Sequence, residues 1–264
     1  VRHLRPPWRS RVLRAQLARI PRKLRIFAAA VAAVAVIGLA LAAANWLFQL
    51  ARKPSELLFP LDGALAKTPA QTWREYRTLF NEHSTALMTP ELLAALAQAE
   101  GAGNPVARTY WRWRASWNPV EVYRPASSAV GMYQITDARF AEAKRYCIHE
   151  HAPVNDGRWY EPRTCWFNAF YFRVLPSHAI ELTSAFLDRR VAQILAEGRI
   201  RSATLQQRQD LAAVIHLCGA TVAQAYARRG FRPAPHERCG DHDLRGYLAR
   251  LNTLKRYFYL LSAV

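Results

Sequence analysis

Acidic residues are scarce in this chain: 19 Asp and Glu stand against 37 Lys and Arg in 264 residues, a net charge of +18. The surplus invites a nucleic-acid reading, but no nucleic-acid-binding motif accompanies it. It is also unevenly spread. Nine of the basic residues (Arg2, Arg5, Arg9, Arg11, Arg14, Arg19, Arg22, Lys23 and Arg25) precede residue 26 with no acid among them, which leaves 28 against 19, or +9, for the remainder. Such a remainder suits work against an anionic polymer or a membrane surface. Metal-site signatures are missing too. Cys147-Ile148-His149-Glu150-His151 has ligand-type side chains, but neither CxxC nor HExxH supplies the partners that zinc requires. The sequence implies neither metal nor cofactor. Strand-like alternation is rare and no repeat is present, which excludes sandwiches and solenoids and leaves a mainly α fold.

Charge of either sign is absent from Ile26 to Ala51, a run of Ala, Val, Leu and Ile longer than the ~20 residues that cross a bilayer. Trp46 and Phe48 lie near its far end, where interfacial aromatics belong. The reading is a basic cytoplasmic leader over residues 1–25, a transmembrane anchor over 26–51 and a juxtamembrane linker over 52–70. A domain over 71–264 follows, placed by the positive-inside rule on the far side of the membrane from the cytoplasm. A cleavable signal peptide is the rival, with Ala42-Ala43-Ala44 as its cleavage site. The apolar run is long for a signal and its basic lead is extended, so a retained single-pass anchor is favoured. An interfacial helix is disfavoured because the run is apolar all round.

All four cysteines, Cys147, Cys165, Cys218 and Cys239, fall in the exported part, where an even number favours disulfides. Three connectivities are open. The sequential one closes two loops of about 20 residues, each worth roughly 3 kcal/mol in the chain-entropy model.

Pro54, Pro60, Gly63 and Pro69 punctuate the linker. Trp73, Tyr76, Leu79 and Phe80 mark a helix over 69–84, and Thr89-Pro90-Glu91 starts the next one with an N-cap, a Pro at N1 and an early acid. Leu92, Leu93 and Leu96 give that helix an apolar stripe, and Glu100, four residues after Leu96, shares its inward face. A carboxylate at the negative end of the helix dipole is disfavoured as an anion, a setting suited to a general acid; the plain alternative is a solvated Glu in a last turn. Residues 106–126 are rich in aromatic and basic side chains: Tyr110, Trp111, Arg112, Trp113, Arg114, Trp117, Tyr123 and Arg124. They suit either stacking on sugar rings or a hairpin packed on the domain. Further helices are expected from Asp137 to Tyr146, over 166–198 and 204–229, and from His242 to Leu261, with loops at 147–165 and around Pro233, Pro235 and Gly240.

Four stretches in order resemble the lysozyme-like lytic transglycosylases of the SLT type, glycoside hydrolase family 23. Ala99-Glu100-Gly101-Ala102-Gly103-Asn104-Pro105 looks like the family's E-S-x-x-N-P motif, and Gly131-Met132-Tyr133-Gln134-Ile135 is similar to G-L-M-Q. The third, Leu211-Ala212-Ala213-Val214-Ile215-His216-Leu217-Cys218-Gly219, looks like a degraded A-A-Y-N-A-G; Asp243-Leu244-Arg245-Gly246-Tyr247-Leu248 is similar to E-T-x-x-Y-V. The likeness spans roughly residues 85–260, and its first two stretches are the specific ones.

The resemblance implies a lysozyme-like domain that cuts peptidoglycan glycan strands between N-acetylmuramic acid and N-acetylglucosamine. Glu100 would serve as sole acid and base and close a 1,6-anhydro ring. Tyr133, Gln134, His216 and Tyr247 would contact substrate, and Asn104-Pro105 would form a rigid turn. A hydrolase would ordinarily need a second carboxylate, and Asp137 and Asp156 are the nearest by sequence. The chain departs from the pattern at Gly101, where the family has Ser, and at His216 and Leu217, where it has Tyr and Asn. The connector from Pro105 to Gly131 is also long. Such an enzyme would act generally on the wall or locally for an envelope-spanning machine. The rivals are a non-catalytic protein binding peptidoglycan or a secretion apparatus, and a hydrolytic lysozyme.

Overall fold

The computed structural model describes residues 21–158, 160–161 and 163–263. Most of the basic leader, residues 1–20, lies outside them. Helix outweighs strand, 61% against 9%, so the mainly α expectation holds. The described residues divide into two compact units, 21–52 with 111–124, and 53–110 with those from 125 to 263.

The first unit contains helix α1 (Arg22–Arg52), 31 residues, long and apolar enough to cross a membrane. Its buried residues are both polar, Asn45 and Gln49. Beside it lie strands β1 (Trp111–Trp113) and β2 (Tyr123–Pro125), paired in a two-stranded sheet. Trp111 and Trp113 pack on Tyr123 with ring centroids 5.2 and 4.7 Å apart. Within this unit the aromatic–basic stretch is a hairpin packed on the apolar helix.

In the second unit, residues 53–65 are not a linker. They fold as two 3₁₀ turns, Pro54–Leu58 and Gly63–Leu65, around the short helix α2 (Phe59–Asp62). The cause is a buried charge cluster. Glu56 is 4% exposed, forms an ion pair with Lys53 at 2.9 Å and accepts from Arg108 at 3.1 Å. Lys53 also donates to the carbonyls of Ser127 and Ala129. Arg108 reaches Asp62 at 3.6 Å and stacks on Phe59.

Helix α3 (Pro69–Glu82) begins with a capping box between Thr68 and Gln71, and it buries Trp73, Tyr76 and Phe80. Helix α4 (Pro90–Gly101) is capped by Thr89 and buried without a break from Leu92 to Ala97. A helix apolar on every face belongs at the centre of a core, and α4 packs between α3 and α9 (Leu244–Ser262).

Helix α5 (Asp137–Ala143) leads into the hairpin of β3 (Tyr146–His149) and β4 (Ala152–Asn155), with Cys147 opposite Val154. Helix α6 (Pro176–Glu197) starts ten residues later than the sequence suggests, because Trp166–Phe170 is a 3₁₀ turn. The helix expected over 204–229 is two, α7 (Leu205–Cys218) and α8 (Ala220–Arg228). They break at Gly219, whose φ of 82° few other residues adopt. Strands β5 (Arg238–Cys239) and β6 (His242–Asp243) precede α9, whose N-cap Asp243 accepts from Gly246 N at 2.7 Å. The disulfides are the sequential pair, Cys147–Cys165 and Cys218–Cys239, with Cα separations of 5.4 and 5.2 Å.

Candidate active site

Glu100 lies in the last turn of α4 with its side chain 16% exposed. The turn beyond is fixed. Ala102 is left-handed, Gly103 N donates to Ala97 O at 3.0 Å, and Gly103 faces Thr72 so closely that a Cβ would overlap its hydroxyl. Asn104, 2% exposed, accepts from Val106 N and donates to Asp62, so Asn104-Pro105 is a turn-forming element.

The Gly131–Ile135 segment is held against this turn. Gly131 N donates to Ala107 O at 2.7 Å, and Arg173 donates to the carbonyls of Ser128 and Ile135. Contact with α4 is close: a Cβ on Gly101 would stand 2.8 Å from Met132 Cα and 3.1 Å from Gly131 O. That approach leaves no room here for the Ser of the family pattern. Gly101→Ser is expected to cost about 1–3 kcal/mol through overpacking, read as a lower urea midpoint at unchanged slope. An unchanged midpoint would mean that the two segments part freely.

Around the carboxylate, three side chains converge. Tyr247 of α9 donates its hydroxyl to Glu100 Oε1 at 2.6 Å. Burial first, and then Glu100, push the Tyr247 hydroxyl well above its ordinary range, so it stays a donor. His216 of α7 is 6% exposed with Nε2 3.9 Å from the same oxygen, beyond hydrogen-bond reach. Arg139 of α5 donates to the carbonyls of Ile215 and His216 at the end of α7. Burial lowers the proton affinity of Arg139, while Glu100 and Tyr247 oppose that shift and favour its charge.

Burial pushes His216 down to about 4; Glu100 opposes the shift, Arg139 adds to it, and a hydrogen bond with the Tyr133 backbone opposes it again. The ring is neutral at neutral pH. The unfolded chain therefore binds more protons than the folded one between about pH 6.5 and 4. The stability this group contributes is complete above that window and is lost as pH falls through it. A shift of that size is worth roughly 3 kcal/mol. Urea titrations across the window should show a fall that is smaller by about that amount in His216→Gln. Equal slopes in both proteins would contradict a buried neutral imidazole.

Of the four residues expected to contact substrate, two join Glu100 and two do not. Tyr247 and His216 are buried against the carboxylate, so each supports Glu100 instead of lining an open cleft. Tyr133 is a core residue, 0% exposed, with its hydroxyl on Leu93 O at 3.1 Å. Gln134 spends its amide on the carbonyls of Ala107 and Gly131 and bends the backbone with a φ of 46°. Asp137 pairs with Arg173 at 2.7 Å, and Asp156 caps Gly157 N, so each has another task. Arg139 was missed; no local pattern separates it from Arg145. Set beside known proteins, the chain matches no family model, no curated protein and no solved structure.

Proposed function

We propose that the chain is a membrane-anchored lytic transglycosylase that cleaves the bond between N-acetylmuramic acid and N-acetylglucosamine in peptidoglycan. Its second unit would be a lysozyme-like domain in the periplasm, and α1 its anchor in the inner membrane. The observation that carries the reading is the hydrogen bond from Tyr247 to Glu100, between two of the four family-like stretches and across 147 residues of sequence. His216, from the third stretch, faces the same oxygen.

Tyr247 and His216 both approach Oε1, so on this reading Oε2 would carry the proton transfer. Protonated Glu100 gives its proton to the glycosidic oxygen as the bond to the muramoyl C1 breaks. The carboxylate then takes the proton of the C6 hydroxyl, whose oxygen bonds to C1 and closes the anhydro ring. The proton lost in the first step returns in the second, so one carboxylate suffices and no water is consumed. The half-buried setting of Glu100 favours such transfer over competing solvent.

A second reading, a non-catalytic protein that binds peptidoglycan or a secretion apparatus on the same fold, is favoured by the departures from the family pattern at Gly101, His216 and Leu217. Incubation with isolated sacculi separates the two. Soluble muropeptides released in proportion to time and protein support the enzyme. Stable sedimentation with the sacculi and no release over a long incubation supports the binder.

A further inference from the structure

A second group of reactive side chains shares no residue with the Glu100 site. Ser177 and Glu181 stand four residues apart on α6, so they belong to one face of that helix. His83, the residue that closes α3, meets both. Its Nε2 is 2.9 Å from Ser177 Oγ, a hydrogen bond across 94 residues of sequence. Its Nδ1 is 4.0 Å from Glu181 Oε2, an ion-pair contact.

The neighbours assign the roles. Glu181 is 6% exposed and held in place, because Tyr171 donates its hydroxyl to Oε2 at 2.6 Å and Ile148 N donates to Oε1 at 3.0 Å. An anion on the Nδ1 side places the imidazole proton on Nδ1 and leaves the Nε2 lone pair facing Ser177. The serine hydroxyl is then the donor. Burial pushes His83 below its ordinary range, while Glu181 and then Glu82 oppose that shift, so the ring is a neutral base at neutral pH. Exposure falls off in the order such a site requires. His83 and Glu181 are buried, whereas Ser177 is only half-buried at the start of its helix. No side chain caps α6, and Pro176 has no N–H to give. The amides of Ser177 and His178, in its first turn, have no intrahelical acceptor. The His178 ring is engaged elsewhere, accepting from Phe172 N at 3.1 Å.

We propose that Ser177, His83 and Glu181 form a second active centre, one that hydrolyses carboxylic esters. It stands independently of the role given to Glu100. Ser177 Oγ bonds to the ester carbonyl carbon as its proton passes to His83 Nε2. The amides of Ser177 and His178 hold the oxyanion. The bond from that carbon to the alcohol oxygen breaks, and the imidazolium returns the proton to the departing alkoxide. Water then attacks the acyl-serine and gives a proton to Nε2; the carboxylic acid leaves as Ser177 recovers that proton. Glu181 is a positioning residue, which orients the ring and balances the charge the ring acquires. The long Glu181 contact suits an ester better than an amide, since an alkoxide departs more readily than an amine.

The full chain in maltoside micelles is treated at neutral pH with a biotinylated fluorophosphonate, which loses fluoride to an activated serine. Peptide mass spectrometry then locates the adduct. It is expected on Ser177 in the folded chain and not in chain first unfolded in urea. With p-nitrophenyl acetate, turnover should fall by about a hundredfold or more in Ser177→Ala and in His83→Gln. Ser177→Ala removes one half-buried hydroxyl and should keep the native urea midpoint. Glu181→Gln should move the acid limb of the turnover profile to lower pH, because Glu82 is then the acid left to favour the imidazolium. An unlabelled Ser177 in the folded native chain, or turnover unchanged in Ser177→Ala, would overturn the proposal; an unmoved acid limb would overturn the part given to Glu181.

Discussion

Glu100→Gln is expected to lower the release of muropeptides from sacculi by about a thousandfold or more. General acid and base catalysis are each worth about 10² to 10⁴, and here a single carboxylate is assigned both. Gln fills the same volume and keeps an acceptor for the Tyr247 hydroxyl, which now lies 2.6 Å from Oε1. The substitution should therefore leave the urea midpoint nearly unchanged while activity disappears. Retained turnover would move the chemistry to another residue. Loss of activity together with loss of folding would say only that the position is structural, so both readouts are taken on the same preparation.

Glu56→Ala should have the largest effect on stability. The carboxylate is 4% exposed and compensates two cations, Lys53 and Arg108. Removing one member of a buried ion pair costs about 3–5 kcal/mol, because the partners stay desolvated. The expected value is about 3 kcal/mol, at the low end. Lys53 keeps the carbonyls of Ser127 and Ala129, and Arg108 keeps Asp62 at 3.6 Å. Denaturation of the full chain in bicelles measures it. A loss below about 0.5 kcal/mol, the scale of an exposed pair, would show that the cluster is not closed to water. Because Lys53 holds the backbone just ahead of Gly131–Ile135, activity should fall along with stability.

Much of the helical frame was legible because its signals are local. Thr89, Pro90 and the Leu92–Leu96 stripe marked both the start of α4 and the inward register of Glu100. The spacing of Trp73, Tyr76, Leu79 and Phe80 marked α3 in the same way. What stayed hidden depends on partners far along the chain. Pro and Gly in 52–70 read as a linker, since nothing local announces that Glu56 will meet Arg108 52 residues later. Gly219 sits inside an apolar pattern of helical period, and only its left-handed backbone separates α7 from α8. Gly101 looked like a lost hydroxyl. The structure makes it a point of contact with Met132, a constraint no motif comparison contains. Tyr133 and Gln134 illustrate the converse, since side chains with the right chemistry for sugar are occupied by the protein's own carbonyls.

The central claim is that Glu100 works alone and regains its proton from the sugar without consuming water. Digestion of sacculi in water enriched in heavy oxygen, followed by mass spectrometry of the released muropeptides, tests it directly. The account predicts products lighter by one water than the hydrolytic ones, free of the heavy isotope at the new muramoyl end, and absent with Glu100→Gln. Reducing ends that carry heavy oxygen would contradict it and make the protein a hydrolase with a second carboxylate still to be found.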